Sequence, residues 1–331
     1  MSIKSNEGSA QRRSGRGEDM GKIKAVLAAA LSVTLLASIG ACGTTDETDS
    51  NSASGKATTS SHPAAFDVSS IKKDPAIAAK VPESVSKDGK LTVGMETSYA
   101  PGEFMNEDGK TPIGYDVDLS NAIAKVMGLK GEMVSASFDT IIPAIGSKYD
   151  AGISSFTITK ERMQSVDFVT TFKAGTAFAV KKGNPSKINP DNICGVKVGV
   201  QTGTIEEQQA TDKISAECKA KGKKPVDVQS YKQQTDAATA VVNGKIDVFY
   251  ADSQVTGYAI KQTDGQLEKL GKDTDIVLQG AALKKGSGMA EATQAALQKL
   301  IDDGTYAKIL KNWGVQSGAV EKAEINPAVS D

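Results

Sequence analysis

The sequence predicts an α/β protein of two lobes, each an open and largely parallel sheet covered by helices. Short apolar strands alternate with amphipathic helices along the body of the chain, the order that builds such sheets through crossover helices. Two long stretches share this character, and neither carries a glycine-rich nucleotide loop or a catalytic constellation, which suggests two lobes around a cleft. Once an export signal is set aside, roughly 290 residues remain, enough for one large or two modest domains.

The amino terminus accounts for the residues set aside. Lys22 and Lys24 precede an uncharged, mostly apolar run from Ala25 to Ala41, which ends on small residues before Cys42. A basic stretch, an apolar stretch and a small-residue cleavage site make a secretory signal. The run is too short and too rich in Ala and Ser for a comfortable membrane span. Ile39-Gly40-Ala41-Cys42 resembles the bacterial lipobox, in which the cysteine is diacylated and becomes the first mature residue; the alternative is an ordinary signal followed by an incidental cysteine. The polar stretch before Met20 serves no export signal, so Met20 is the expected start. Arg12-Arg13 lacks the adjoining apolar residues of a twin-arginine signal. From Gly43 to about Ala65 the chain is rich in Ser and Thr and nearly lacks large apolar residues, and is expected to be a flexible leash.

The body opens with a strand at Leu91–Met95, apolar at alternate positions. A helix over Asp116–Met127 places Leu119, Ile123, Val126 and Met127 on one face. Further strands are expected at 150–154, 177–181, 196–200, 226–230 and 246–250. Two helices close the body. Met289, Ala292, Ala296, Leu297, Leu300 and Ile301 line the first, stopped by Gly304; Ile309, Leu310 and Trp313 line the second, stopped by Gly314.

Composition excludes several functions. Thirty-nine basic residues against 40 acidic leave no electrostatic footprint for nucleic acid. His62, the sole histidine, lies in the Ser/Thr-rich leash, which removes histidine-dependent hydrolysis and the usual histidine metal sites; no metal or cofactor is expected. With Cys42 lipidated, the other two of the three cysteines, Cys194 and Cys218, are expected to form a disulfide in an exported protein; the alternative is two free buried thiols.

Five segments carry a family resemblance: Gly114-Tyr115-Asp116-Val117-Asp118-Leu119; Ser154-Ser155-Phe156-Thr157 through Arg162 to Phe168; Val198 to Thr204; Gly244 to Asp252; and Asp303 to Gly314. In this order they resemble the bacterial extracellular solute-binding proteins of family 3, the polar amino acid receptors of ABC importers. The resemblance covers about residues 89 to 314. It implies a type II periplasmic-binding-protein-like fold, two α/β lobes joined by two crossings near Gly175 and Gly280. Residues 1–41 are then a signal peptide and 42–88 the lipidated cysteine and a flexible linker. Residues 89–175 plus 280–325 form a discontinuous lobe one, and 176–279 form lobe two.

The family's ligand residues map onto particular positions. Arg162 matches the arginine that binds the ligand carboxylate, with the hydroxyls of Ser154, Ser155 and Thr157 completing the cradle; the bland alternative is a surface arginine. Its planar fork suits a bidentate pair. Thr204 starts a capping box, Thr204-Ile205-Glu206-Glu207, and is expected both to cap a helix and to touch the carboxylate. Asp252 matches the amine-binding acid, at the strand end where parallel sheets meet ligands. Tyr99 and Phe138 match rings flanking the ligand side chain, with plain core packing the competitor at Phe138. Glu96 corresponds to the acid that meets a basic side chain. Arg162 balances the ligand carboxylate and Asp252 its amine, so Glu96 would be a buried unpaired anion unless the ligand brings a cation or strong donor. Arginine or lysine is favoured, glutamine next. Gly102-Glu103-Phe104 departs from the family pattern, as does Ile205 where a threonine is common.

The resemblance implies a monomeric, non-enzymatic receptor that closes on an amino acid and docks on an ABC permease with its ATPase. Rivals are a dehydratase on the same scaffold, of the cyclohexadienyl or arogenate type with Glu96 or Glu103 as acid, and a sensory or adhesive module. Diacyl chains on Cys42 would tether the receptor to the outer face of the cell membrane, as a Gram-positive-type envelope requires. Replacing Cys42→Ala is expected to release ligand-competent protein into the medium, checked by fractionating cells and assaying the soluble fraction for amino acid binding.

Overall fold

The computed structural model describes residues 62–329; the signal segment, Cys42 and most of the leash lie outside them. The chain is already ordered before the first strand. Two short helices, α1 (Pro75–Ala78, capped by Asp74) and α2 (Glu83–Ser86), bury Ile77, Val81 and Val85. Phe66, Val68 and Ile71 pack partly buried against the same core. His62 Nε2 lies 3.1 Å from Asn106 Oδ1, and Asn312 Nδ2 donates to the Ala64 carbonyl at 2.8 Å. The expected flexible linker through residue 88 is therefore corrected over 62–88. Its few apolar side chains cannot form a core, but they can cover one that the rest of the lobe has already built.

Strand β1 (Lys90–Met95) buries Leu91, Val93 and Met95. Then β2 (Ser98–Tyr99), β3 (Glu103–Met105) and β4 (Pro112–Ile113) form a small antiparallel sheet. Gly114 turns the chain into α3 (Tyr115–Met127) with φ 134°; a Cβ there would stand 2.0 Å from the Gly102 carbonyl oxygen, so only glycine fits. Helix α3 buries the predicted face and ends on left-handed Gly128. β5 (Lys130–Ser135), α4 (Phe138–Ala144), β6 (Ala151–Gly152), α5 (Arg162–Ser165) and β7 (Val166–Lys181) follow. Beyond β8 (Lys197–Gln201), α6 (Ile205–Gln208) runs through a π-helical turn at Gln209–Ile214 into α7 (Ser215–Ala220). The remainder is β9 (Asp227–Tyr231), α8 (Gln234–Val242), β10 (Val248–Asp252), α9 (Ser253–Gln262), β11 (Leu267–Lys284), α10 (Met289–Asp302) and α11 (Thr305–Asn312).

One eight-stranded sheet, in the order β5-β1-β6-β11-β7-β10-β8-β9, runs through both lobes. Its outer blocks are parallel, as expected: β1 with β5 and β6, and β8 with β9 and β10. Its centre is not. β7 and β11 pair antiparallel with each other, and antiparallel with β10 and β6 respectively. The expectation of two largely parallel sheets missed this because the chain leaves lobe one along β7 and returns along β11, which forces opposite directions. Residues 166–174 of β7 meet 277–284 of β11 on the lobe-one side, and 176–181 meet 267–274 on the other. The return crossing falls at the register shifts between Leu270, Thr274 and Val277, a few residues ahead of the expected Gly280.

Each lobe buries apolar side chains on both faces of its part of the sheet. In lobe one Leu119, Ile123, Leu297 and Ile309 pack on one face and Ile141, Phe156 and Phe168 on the other. In lobe two Ala237, Val241 and Phe249 oppose Val198, Val200 and Val248. Cys194 and Cys218 are joined, as expected, tying the segment before β8 to α7. Reduction, or a double Cys→Ala replacement, is expected to lower stability by about 3 kcal/mol through the chain entropy of the unfolded state, as read by urea denaturation with and without dithiothreitol.

Candidate functional site

The predicted site residues gather where strand ends of one lobe face those of the other. Arg162 opens α5, immediately before β7. Its Nη1 donates to the Thr157 carbonyl at 2.8 Å, and its Nη2 reaches lobe two, donating to the Gly203 carbonyl at 2.9 Å. The guanidinium also sits over the rings of Phe138 and Phe156, at 5.6 and 5.8 Å from their centroids. Phe138 is thus both core and platform: it stacks on Phe156 at 4.6 Å and supports the arginine.

Asp252 ends β10, opposite Thr176 of β7. Its Oδ2 accepts from the Tyr99 hydroxyl at 3.0 Å and from Gln279 Nε2 at 2.8 Å. Tyr99 comes from lobe one but packs into the lobe-two core. Glu96, just past β1 and buried, accepts at Oε2 from Ser98 Oγ (2.8 Å) and from Gln201 Nε2 of lobe two (2.7 Å). Both donors are neutral, and the charge acting on Glu96 is that of another acid, Asp236. Burial raises the Glu96 carboxyl, and the hydrogen bonds from Gln201 and Ser98 only oppose it.

The small hydroxyl residues are placed differently from the expectation of a free carboxylate cradle. Ser154 Oγ accepts from Glu96 N at 2.9 Å and donates to Glu103 Oε1 at 2.6 Å. Ser155, at φ 50°, turns its hydroxyl towards Glu103 and Asp116. These two side chains, with the Ser155 N–H, are committed to Glu103 and Asp116 and support the site from behind. Thr157 pairs across from Gln279. Thr204 caps α6 as predicted: its Oγ1 accepts from Glu207 N at 3.2 Å and donates to the Gln201 carbonyl at 2.8 Å.

Sequence reasoning missed Gln201, Glu206 and Gln279, all buried. Glu206 lies in the first turn of α6, four residues before the fully buried Ala210, and that helical spacing was a signal that it faces inward. Burial first, then the charge of Asp252, pushes Glu206 well above the usual carboxylate range. Asp252 is raised by burial to about 6, although Gln279, Tyr99 and the positive charge of Arg162 hold it down. Among the described residues, five buried side-chain atoms lack a hydrogen-bond partner: Gln201 Oε1, Glu206 Oε1, Gln234 Nε2, Asp252 Oδ1 and Gln279 Oε1. Such an orphan costs about 1–3 kcal/mol, and all but Gln234 belong to the set around Glu96, Arg162 and Asp252. The arrangement offers one guanidinium to an anion and several acids to cations.

A guanidinium and several buried carboxyl groups at the junction of two lobes make a site suited to a small polar solute. The chain belongs to the bacterial extracellular solute-binding proteins, family 3, whose profile matches residues 91–316. It is 36% identical over 253 residues to the arginine-binding protein ArgT of Corynebacterium glutamicum, covering 76% of this chain and 83% of that one. An ancestral arginine-binding protein bound to arginine superimposes with a TM-score of 0.62 at 36% identity, over 68% of this chain and 98% of that one. An ancestral amino acid-binding protein described as a precursor of cyclohexadienyl dehydratase does so with a TM-score of 0.62 at 32% identity, over 70% and 98%. The fold is the type II periplasmic-binding-protein fold, and the protein is an extracytoplasmic solute-binding protein.

The raised acids fix a pH dependence. Asp252 titrates near 6 in the folded chain but near 3.9 when unfolded, so folding takes up a proton between those values. Stability of the ligand-free protein is expected to rise as pH falls from 7 towards 5, with a smaller rise in Asp252→Asn, as measured by urea denaturation across that range.

Proposed function

We propose that the protein is a lipid-anchored receptor that captures a cationic amino acid, arginine first, and hands it to an ABC permease and its ATPase. The observation that carries this is the acid content of the cleft: Glu206 and Asp252 are buried about the guanidinium of Arg162, and Glu96 is buried against neutral Ser98 and Gln201. Arg162 takes the ligand carboxylate, together with Thr157. Asp252 takes the α-ammonium, with Tyr99 and Gln279 holding its carboxylate in place. Glu96 takes the side-chain cation, and Glu206, whose Oε1 is buried without a partner, offers a further acceptor on the lobe-two wall. A ligand with two positive groups and one negative group leaves far less uncompensated buried charge than a neutral amino acid does. The arginine recognition printed for ArgT and for the ancestral protein supports the same choice.

Closure follows because the ligand touches both lobes. Contacts added by Asp252 and Glu206 exist only when lobe two meets lobe one, and their free energy is what biases the hinge. The leash and Cys42 keep the receptor near its permease as a monomer. A dehydratase reading has one observation in its favour, the likeness to a dehydratase precursor. Against it, Glu103 is fully buried behind Ser154, which leaves Glu96 to serve as the acid.

L-Arginine at a hundredfold excess over its dissociation constant is expected to stabilise the purified protein by about 2.7 kcal/mol, and Arg162→Ala to abolish the effect without unfolding the chain. Glu96→Gln is expected to shift preference from arginine towards glutamine. Calorimetry against arginine, lysine, histidine, glutamine and cystine checks both; micromolar arginine binding by Arg162→Ala would sink the assignment.

A further inference from the structure

Behind the ligand residues lies a second cluster that direct binding does not use. Glu103 and Asp116 are buried in lobe one, 0% and 2% exposed, and both face the Ser155 hydroxyl, Glu103 Oε2 at 3.4 Å and Asp116 Oδ2 at 3.1 Å. Among the described residues no basic side chain hydrogen-bonds or ion-pairs with either of them. The charge of Glu96 beyond β1 acts on Glu103, and the charge of the pair reaches Tyr115 on α3, Tyr306 on α11 and Asp252 on β10, all acidic or neutral.

The hydrogen bonds around the pair run in one direction. On one side Glu96 N donates to Ser154 Oγ at 2.9 Å, and Ser154 Oγ donates to Glu103 Oε1 at 2.6 Å. On the other, Gln254 Nε2 of lobe two donates to the Tyr115 hydroxyl at 3.2 Å, and that hydroxyl stands 3.2 Å from Ser155 Oγ. Ser155 Oγ and Ser155 N both reach Asp116 Oδ2, at 3.1 and 2.8 Å. Two carboxyl groups converge on the Ser155 hydroxyl, whose one proton cannot serve both, so a proton held on the pair supplies the missing donor. Asp116 Oδ2 also faces the Ser155 N–H, which can only donate, whereas Glu103 faces only the hydroxyls of Ser154 and Ser155, so Glu103 is the member that carries it. Removing that proton would set two buried carboxylates against each other with only the Ser155 hydroxyl between them.

We propose that Glu103 and Asp116 hold one proton between them and act as a positioning pair, joining the pocket acid Glu96 to helix α9 of lobe two so that the closed form requires that proton. The pair does not touch the ligand. It fixes Ser154 and Ser155, through them the backbone at Glu96 and the interlobe bond from Gln254. Opening the lobes breaks the Gln254–Tyr115 link and exposes this side of the cluster, so the proton is held more weakly in the open form. Burial and the neighbouring charge of Asp116 push the Glu103 carboxyl well above the ordinary range, in keeping with this. Asp116 itself is raised to about 6 by burial, against the bonds from Ser155 and Glu103.

The coupling to ligand rests on the cleft being the amino acid site proposed above; the proton on the pair does not. Two measurements separate them. Between pH 7 and 8.5 groups that titrate near 6 have already ionised, so a proton retained on Glu103 dominates the comparison of wild type with Glu103→Gln, which carries a permanent neutral donor. The folding constant of ligand-free wild type is expected to fall about tenfold more per pH unit than that of Glu103→Gln; equal slopes overturn the shared proton. L-Arginine affinity is expected to weaken more from pH 7 to 9 in wild type than in Glu103→Gln, the ligand's own titration being common to both. Tyr115→Phe keeps the pair but cuts the link to Gln254. It is expected to retain the steep stability slope and lose the extra pH dependence of binding, and it decides the relay if Glu103→Gln does not fold. A Tyr115→Phe protein whose arginine affinity follows pH as wild type does overturns the coupling. Failure of wild type to bind arginine at all would instead overturn the ligand assignment, leaving the stability comparison to judge the pair.

Discussion

Two long strands, β7 and β11, carry the chain from lobe one to lobe two and back, and the site takes its register from them. Arg162 stands directly before β7, Asp252 lies opposite Thr176 within it, and Gln279 belongs to β11. Because these strands are hydrogen-bonded to each other along most of their length, the cleft residues they carry are fixed relative to the hinge. The register shifts between Leu270 and Val277 interrupt the ladder where the lobes divide, which makes that stretch the natural place for bending. In the proposed closure, a ligand bridging the lobes would bend the sheet where its ladder is interrupted.

The second constraint is electrostatic. Several carboxyl groups are buried between or beside the lobes, and Arg162 is the cation acting on two of them, Glu206 and Asp252. Ionised and unpaired, such groups would oppose folding by several kcal/mol each. The protein manages them in two ways. Glu103 and Asp116 sit in a closed network of hydroxyls where one proton serves both; Glu96, Glu206 and Asp252 are left with atoms or charge available to a solute. In the proposed function a cationic amino acid would relieve the second group and leave the first untouched.

The body of the chain holds the segment before its first strand more firmly than composition suggested. Phe66 N and Trp313 Nε1 both donate to the buried Asp118, at 2.9 and 2.6 Å, and His62 packs edge-on against Phe104. Phe104 in turn contacts Trp313 and Tyr258 of α9. The segment leading in from the leash is clamped to lobe one beside residues that also meet lobe two.

Much of this was legible in the sequence where the physical signal is local. The period of α3 and α10, the cap at Thr204, the cysteine pair and the strand-end position of Asp252 each depend on residues a few places apart or on composition, and each appears where expected. Residues 62–88 were misjudged because their apolar side chains are too sparse to signal order and find their partners only on a surface assembled elsewhere. Glu206 and Gln201 resembled ordinary helix and strand residues, since nothing in their neighbourhood along the chain shows that a second lobe buries them. The sequence by itself determined the family, the alternation of strands and helices, and the types of charge available. Only the tertiary structure decided which charges meet. The antiparallel crossing of β7 and β11, the commitment of Ser154 and Ser155 to Glu103 and Asp116, and the reach of Gln201 to Glu96 all join residues many tens of positions apart. Such contacts are set by packing and by the exclusion of water, and no local periodicity encodes them.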